Sequence, residues 1–389
     1  MLELLFLLLP VAAGYGWVMG RNSVRQAQRK QSSILSKHYY KGLNFLLSDQ
    51  PDKAVDTLIK IIDVNSDTVE THIAMGNFFR HRGEIDRAIR IHQNIVSQDE
   101  VIPEQKEIAL KALGQDYMQA GFLERAENTF LRLLDSDKHF LYAQQQLFSI
   151  YQTMKEWEKA IGLAERMVSC HGDNDELNAR LAHLYCEQSI LELGKENHTN
   201  ALDLLQKAVN ADEKAVRPWL MLGELALDQR RFDEAIAYFT QVAERDITWF
   251  SEAVPHLEKI AEETGDWEAF EKNLSDHWQE CATSYLAMVD VLLTKGDNDK
   301  AADYLLKQLK NRPTMRGFKT LMGLYIDKIE DKASAESLRL LKALVEDQMK
   351  QRPTYRCQRC GFSGRKLYWL CPSCKTWDGV KPIKGLDGE

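Results

Sequence analysis

The sequence predicts an all-α fold: a superhelix of antiparallel helix pairs, led by one transmembrane helix and closed by a small metal knuckle. Three observations carry the prediction. An alanine recurs about every 34 residues, the first twenty residues are almost wholly apolar, and four of the seven cysteines crowd into the last tenth of the chain.

Composition sets the frame. At 389 residues the chain exceeds one ordinary core, so two or three domains are expected. Charged residues make up 28% and hydrophobic ones 44%, the balance of a folded body. Only 21 glycines and 9 prolines are present, which suits long helical stretches because both residues interrupt helix interiors. A net charge of −8 opposes broad phosphate neutralisation, and no nucleic-acid partner is expected. Cys170, Cys186 and Cys281 stand singly in helical segments, as small apolar core residues do. The odd cysteine total argues against a secreted disulfide framework.

Residues 1–20 contain one charge, Glu3, in a leucine-rich run. About 20 such residues span a bilayer core as a helix. A cleaved signal peptide would place basic residues before the apolar run, and none stands there. Instead Arg21, Arg25, Arg29, Lys30 and Lys37 follow it. Positive charge stays on the cytoplasmic side, so the bulk of the chain is expected in the cytoplasm on a single-pass anchor. Tyr15 and Trp17 suit the interfacial belt, and a membrane span tolerates Pro10 and Gly14. Residues 21–34 read as a basic juxtamembrane linker.

Over residues 35–350 a glycine is followed twelve residues later by an alanine: Gly42 and Ala54, Gly76 and Ala88, Gly114 and Ala126, Gly223 and Ala235. The alanine series continues through Ala160, Ala201, Ala269 and Ala301. Tyr117, Tyr151 and Tyr185 keep step in first helices, Phe130 and Phe239 lie four residues after their alanines, and Trp219 with Leu222 precedes Gly223. Pro313 stands twelve after Ala301. Small residues are needed where two helix axes come closest, and each pair must stack on its neighbours to bury its apolar face. The polar turns HRGEID, QAGFLE, QRRFDE, ETGDWE and TKGDND precede the alanine helices, as helical hairpins require. This pattern resembles the tetratricopeptide repeat, in about eight or nine copies. Extra residues fall around 101–105, including Pro103, and around 189–199, where they lengthen one hairpin or its first helix. From about 315 to 350 the pattern decays into a degenerate repeat or capping helix pair. In such an array first-helix side chains line the concave face, which grips a peptide or another protein. By repeat position Asn77, Arg80, His81, Lys111, Gln115, Gln145, Ser149 and Gln152 are the partner-binding candidates, although they also read as ordinary solvated polar residues.

Residues 351–389 hold C-x2-C, ten intervening residues and C-x2-C: Cys357, Cys360, Cys371 and Cys374. Two thiolates in one tight turn and two in another complete a tetrahedral four-sulfur site for one zinc or iron ion. Gly361 lets the first turn curl and Pro372 stiffens the second. A disulfide pair or a redox C-x-x-C is the competing assignment, disfavoured by a cytoplasmic setting and by the paired spacing. The knuckle is rubredoxin-like, with Tyr355, Phe362, Tyr368, Trp369 and Trp377 available for a tiny core. So small a module lacks the apolar surface to fold unaided, and metal supplies much of its stability. All four positions are cysteine, which favours a structural site. From residue 350 on, nine Lys or Arg face three Asp or Glu, which suits contact with the acidic repeats, anionic lipid or nucleic acid, the repeats foremost. No phosphate-binding loop, H-E-x-x-H or G-x-S-x-G occurs, so catalysis has no candidate residue.

The order of parts, anchor then repeats then four-cysteine knuckle, resembles the lipopolysaccharide assembly protein B family of Gram-negative bacteria along the whole chain. The resemblance implies a non-enzymatic adaptor of the inner membrane that presents the committed-step lipid A deacetylase to the membrane protease FtsH and so regulates lipopolysaccharide synthesis by proteolysis. It also implies other lipopolysaccharide assembly proteins as partners, leaves room for a homo-oligomer, and assigns metal ligation to Cys357, Cys360, Cys371 and Cys374. The competing expectation is a rubredoxin-like electron-transfer protein carried on a repeat scaffold.

Overall fold

The structure is a computed structural model that describes residues 69–389, except 100, 172–173, 278–280 and 327, together with a few isolated positions before residue 69. The expected anchor and the repeat marked by Gly42 and Ala54 lie almost wholly outside the described residues. Among the described residues no helix is long and apolar enough to cross a membrane. The chain divides into two compact units, Met1–Glu156 and Trp157–Glu389.

In the first unit, α1 (Val69–His81) packs on α2 (Ile85–Ser97), α3 (Pro103–Ala120) on α4 (Leu123–Leu133), and α4 on α5 (Phe140–Met154). The glycine–alanine pattern has a direct cause here. A Cβ on Gly114 would stand 2.5 Å from the Phe130 ring, and one on Gly76 2.3 Å from His92. The ring four residues beyond each of these alanines thus lies directly against the glycine of the preceding helix, while Ala88 and Ala126 are fully buried. Pro103 opens α3, where its missing N–H costs no hydrogen bond. Where phenylalanine would be expected, His92 is buried with its Nδ1 2.5 Å from Asp116 Oδ2. Arg80 Nη1 donates to the other oxygen of Asp116 at 2.9 Å, so two basic side chains hold one buried carboxylate.

The second unit begins with α6 (Trp157–His171) and continues as pairs: α7 (Asp175–Gly194) with α8 (His198–Ala211), α9 (Arg217–Asp228) with α10 (Phe232–Arg245), and α11 (Phe250–Thr264) with α12 (Trp267–His277). Two more follow, α13 (Ala282–Thr294) with α14 (Asn298–Asn311), and α15 (Met315–Ile326) with α16 (Lys332–Gln351). Each first helix from α7 to α13 touches the next first helix as well as its own partner, as stacked hairpins do. The long spacing before Ala201 is taken up by α7, which runs 20 residues. The decayed stretch forms the final helix pair. Ala160, Ala201, Ala235 and Ala301 are fully buried, and Gly223 accepts the Phe239 ring as Gly114 accepts Phe130. Ala269 is the exception: it is half-buried, and neighbouring Phe270 fills the core. At four of the turns between paired helices one residue sits in the left-handed region, Gly265 and Gly296 in two cases and Glu196 and Arg230 in the other two.

Three short strands follow: β1 (Tyr355–Cys357), β2 (Ser363–Gly364) and β3 (Val380–Pro382), antiparallel in the order β2-β1-β3. Cys357 pairs with Val380, and Tyr355 with both Gly364 and Pro382. Cys357 ends β1, Cys360 lies between β1 and β2, and Cys371 and Cys374 lie between β2 and β3.

Candidate metal centre and its docking surface

Each cysteine pair is shaped by its own turn. In the first, Gly361 N–H donates to Cys357 O at 3.0 Å and Cys357 N–H to Phe362 O at 2.7 Å. In the second, Lys375 N–H donates to Cys371 O and Cys371 N–H to Thr376 O, both at 3.0 Å. The residue after the second cysteine of each pair is left-handed, Gly361 at φ 77° and Lys375 at φ 54°. The two turns are therefore equivalent in backbone form, although only one carries the glycine that favours it.

They bring four sulfurs within 4.8 Å of one another. Cys357 Sγ is 3.7 Å from Cys374 Sγ, and Cys360 Sγ is 3.7 Å from Cys371 Sγ. A tetrahedral ion with metal–sulfur bonds of about 2.3 Å sets its sulfurs ~3.8 Å apart. The spacing fits one metal ion and is far too long for a disulfide. The four cysteines can hold that ion with no fifth side chain needed. Cys357 and Cys371 are buried, Cys374 is half-buried and Cys360 exposed. Hydrogen bonding by Thr376, from its hydroxyl and its backbone, lowers Cys374 to about 6, whereas burial pushes Cys371 up to about 11. The Phe362 backbone N–H likewise lowers Cys360.

The core of this domain is minute: Cys357, Cys371 and Val380, with Tyr355, Phe362 and Cys374 beside them. Tyr368 lies edge-on to Phe362 at 5.9 Å. Trp369 and Trp377, expected in the same core, turn away and pack on the repeats. Trp369 stacks on Trp249 at 4.6 Å, and Trp377 stacks on His183 at 4.9 Å with planes 9° apart. Trp157 meets Trp377 edge-on at 6.5 Å. The Arg217 guanidinium lies 5.5 Å from the Trp369 ring centre and 6.0 Å from that of Trp377, and Nη2 donates to Glu187 at 2.8 Å. Burial, then the Arg217 charge, lowers His183 to about 3, so the ring is neutral.

Polar contacts extend the docking along the array. Lys381 Nζ donates to Asp246 Oδ2 at 3.0 Å, and the Tyr355 hydroxyl to Glu252 at 2.9 Å. Glu389 accepts from Thr283 N–H at 2.9 Å, near the start of α13, and from Arg316 Nη1 at 2.7 Å. Met315 N–H at the start of α15 donates to Leu386 O at 2.8 Å. The metal domain is thus fastened to every first helix from α7 to α15 or to the turn before it. One basic residue of this segment, Lys381, meets an acidic repeat residue, Asp246, and in the reverse sense Arg316 of the repeats meets Glu389. None of these repeat residues carries a local sequence signal. The usable hint was global: two tryptophans in a module with no core to hold them.

The candidates for partner binding are placed as follows. His81, Gln145 and Ser149 are exposed, and Asn77, Arg80, Lys111, Gln115 and Gln152 are half-buried. Three of them, Arg80, Lys111 and Gln115, join successive first helices, and Asn77 accepts from Arg80 within its own helix. Arg80 Nη1 donates to Ala112 O and to Asp116, and Nη2 to Asn77 Oδ1. Gln115 Nε2 donates to the Tyr142 hydroxyl at 2.6 Å, and Lys111 Nζ stands 4.3 Å from the Tyr142 ring centre.

Comparison with known proteins gives two family matches. Residues 355–382 match a family described as rubredoxin metal binding domain, and residues 186–248 match the tetratricopeptide repeat. Lipopolysaccharide assembly protein B of Escherichia coli K12 is 39% identical over 391 aligned residues, covering all of both chains. The protein of the same name from Haemophilus influenzae Rd is 38% identical over 397, again covering both in full.

Proposed function

The chain belongs to the lipopolysaccharide assembly protein B family, and from that premise we propose that it acts as an adaptor at the inner membrane. It is a repeat protein of lipopolysaccharide assembly, not an enzyme, and its partners are proteins. In this reading residues 1–20 anchor the chain, residues 21–34 link it, and the repeats of residues 35–350 hold the lipid A deacetylase beside the protease FtsH, with the bulk of the chain in the cytoplasm. Tethering two proteins to one scaffold raises their effective concentration without new chemistry. His81, Gln145 and Ser149 are the candidates most open to a client. Arg80, Lys111 and Gln115 would contribute while holding the helices in register, with Asn77 and Gln152 beside them.

The observation that carries the proposal is the full-length match to relatives named for lipopolysaccharide assembly. Deleting residues 1–20 while the fold is kept should abolish regulated turnover of the deacetylase. Unchanged turnover contradicts the adaptor reading. The exposed sulfur side at Cys360 supports a second reading, an iron site that carries electrons. Iron–thiolate absorption in the visible favours it, and a colourless zinc protein excludes it.

A further inference from the structure

We propose that metal binding and docking of the metal domain are thermodynamically coupled, so that repeat residues far along the chain set the metal affinity of the four-cysteine site. The inference rests on that site holding a metal and is independent of the adaptor reading.

The two tryptophans that seat the domain flank its second cysteine pair. Trp369 stands two residues before Cys371, and Trp377 three after Cys374. Leu370 and Trp377 pair across this loop, and Asp378 N–H donates to Trp369 O at 2.9 Å. One loop therefore presents sulfur to the metal on one side and indole to the repeats on the other. The domain's own core is largely cysteine sulfur, so without metal little apolar packing holds the loop in shape. Metal arranges the loop for His183, Trp249 and Arg217. Those residues, by gripping the indoles, arrange the loop for metal. Linkage requires the two effects to be equal: the factor by which metal strengthens docking is the factor by which docking strengthens metal binding. Partners outside the ligand shell commonly change metal affinity by roughly 10- to 100-fold, and the docking residues belong in that range.

The test uses the full chain loaded with zinc and titrated with a competing chelator. His183→Ala and Trp377→Ala should lose zinc at least about tenfold more readily than the wild type, with helix content unchanged. Lys381→Ala, at the rim of the docking surface, should give a smaller shift in the same direction and serves if Trp377→Ala fails to fold. Removing zinc from the wild type should speed amide exchange in α7 and α9 and shift tryptophan emission to the red. Wild-type zinc affinity in both His183→Ala and Lys381→Ala, or full amide protection after zinc removal, overturns the coupling. A wild type that takes up no zinc or iron removes the metal site itself and the coupling with it.

Discussion

Trp377 and His183 lie face to face, ring centres 4.9 Å apart, although 194 residues separate them in the chain. The imidazole is neutral because burial, then the Arg217 charge, opposes its protonation. Its folded pKa of about 3 lies below the ordinary 6.5, so the unfolded chain takes up a proton that the folded chain refuses. Stability from this site is complete above pH ~6.5 and falls as pH drops toward 3. His183→Phe keeps the ring and removes the titration. At pH 8 the variant should be near neutral in stability. At pH 5 it should exceed the wild type by about 2 kcal/mol, the linkage contribution of 1.5 pH units below 6.5. Urea unfolding at the two pH values checks this, and an equal difference at both contradicts it.

Asp116 is the buried carboxylate between Arg80 and His92. Asp116→Ala strips both basic groups of their partner at once and should cost about 3–5 kcal/mol. Asp116→Asn keeps a hydrogen-bonding oxygen and should cost less. Urea midpoints of the two variants check the order.

Two glycines should respond to alanine with opposite signs. At Gly114 the new methyl meets Phe130 at 2.5 Å, and overpacking of this kind costs about 1–3 kcal/mol. At Gly162, inside α6, nothing lies within 4 Å of the added carbon. Gly162→Ala should stabilise by about 0.5–1 kcal/mol through helix propensity. Melting temperatures of the pair should move in opposite directions.

These cases show what was legible in the sequence. The helix pairs and the four ligands follow from short-range regularity: an alanine period, a glycine opposite a ring, cysteines three apart. Local chemistry repeated in phase can be read from one chain. The departures are equally physical. Ala269 keeps its place in the series, yet Phe270 takes the core. Trp369 and Trp377 were expected to fill the knuckle's own interior and instead fill a surface made by Trp157, His183, Arg217 and Trp249. That surface is assembled from four elements spread over about a hundred residues, and no spacing rule connects them. The first-helix positions could be placed by repeat register, but the roles of half-buried Arg80 and Lys111 as inter-helix ties depended on Asp116 and Tyr142 standing one repeat away.

X-ray absorption at the metal edge of the purified full-length chain, with metal counted per chain, bears most directly on the four-cysteine centre. One ion per chain, with four sulfur neighbours at about 2.3 Å, is the expected result. A shell containing nitrogen or oxygen, or a metal-free chain with its terminal cysteines paired as disulfides, would contradict it.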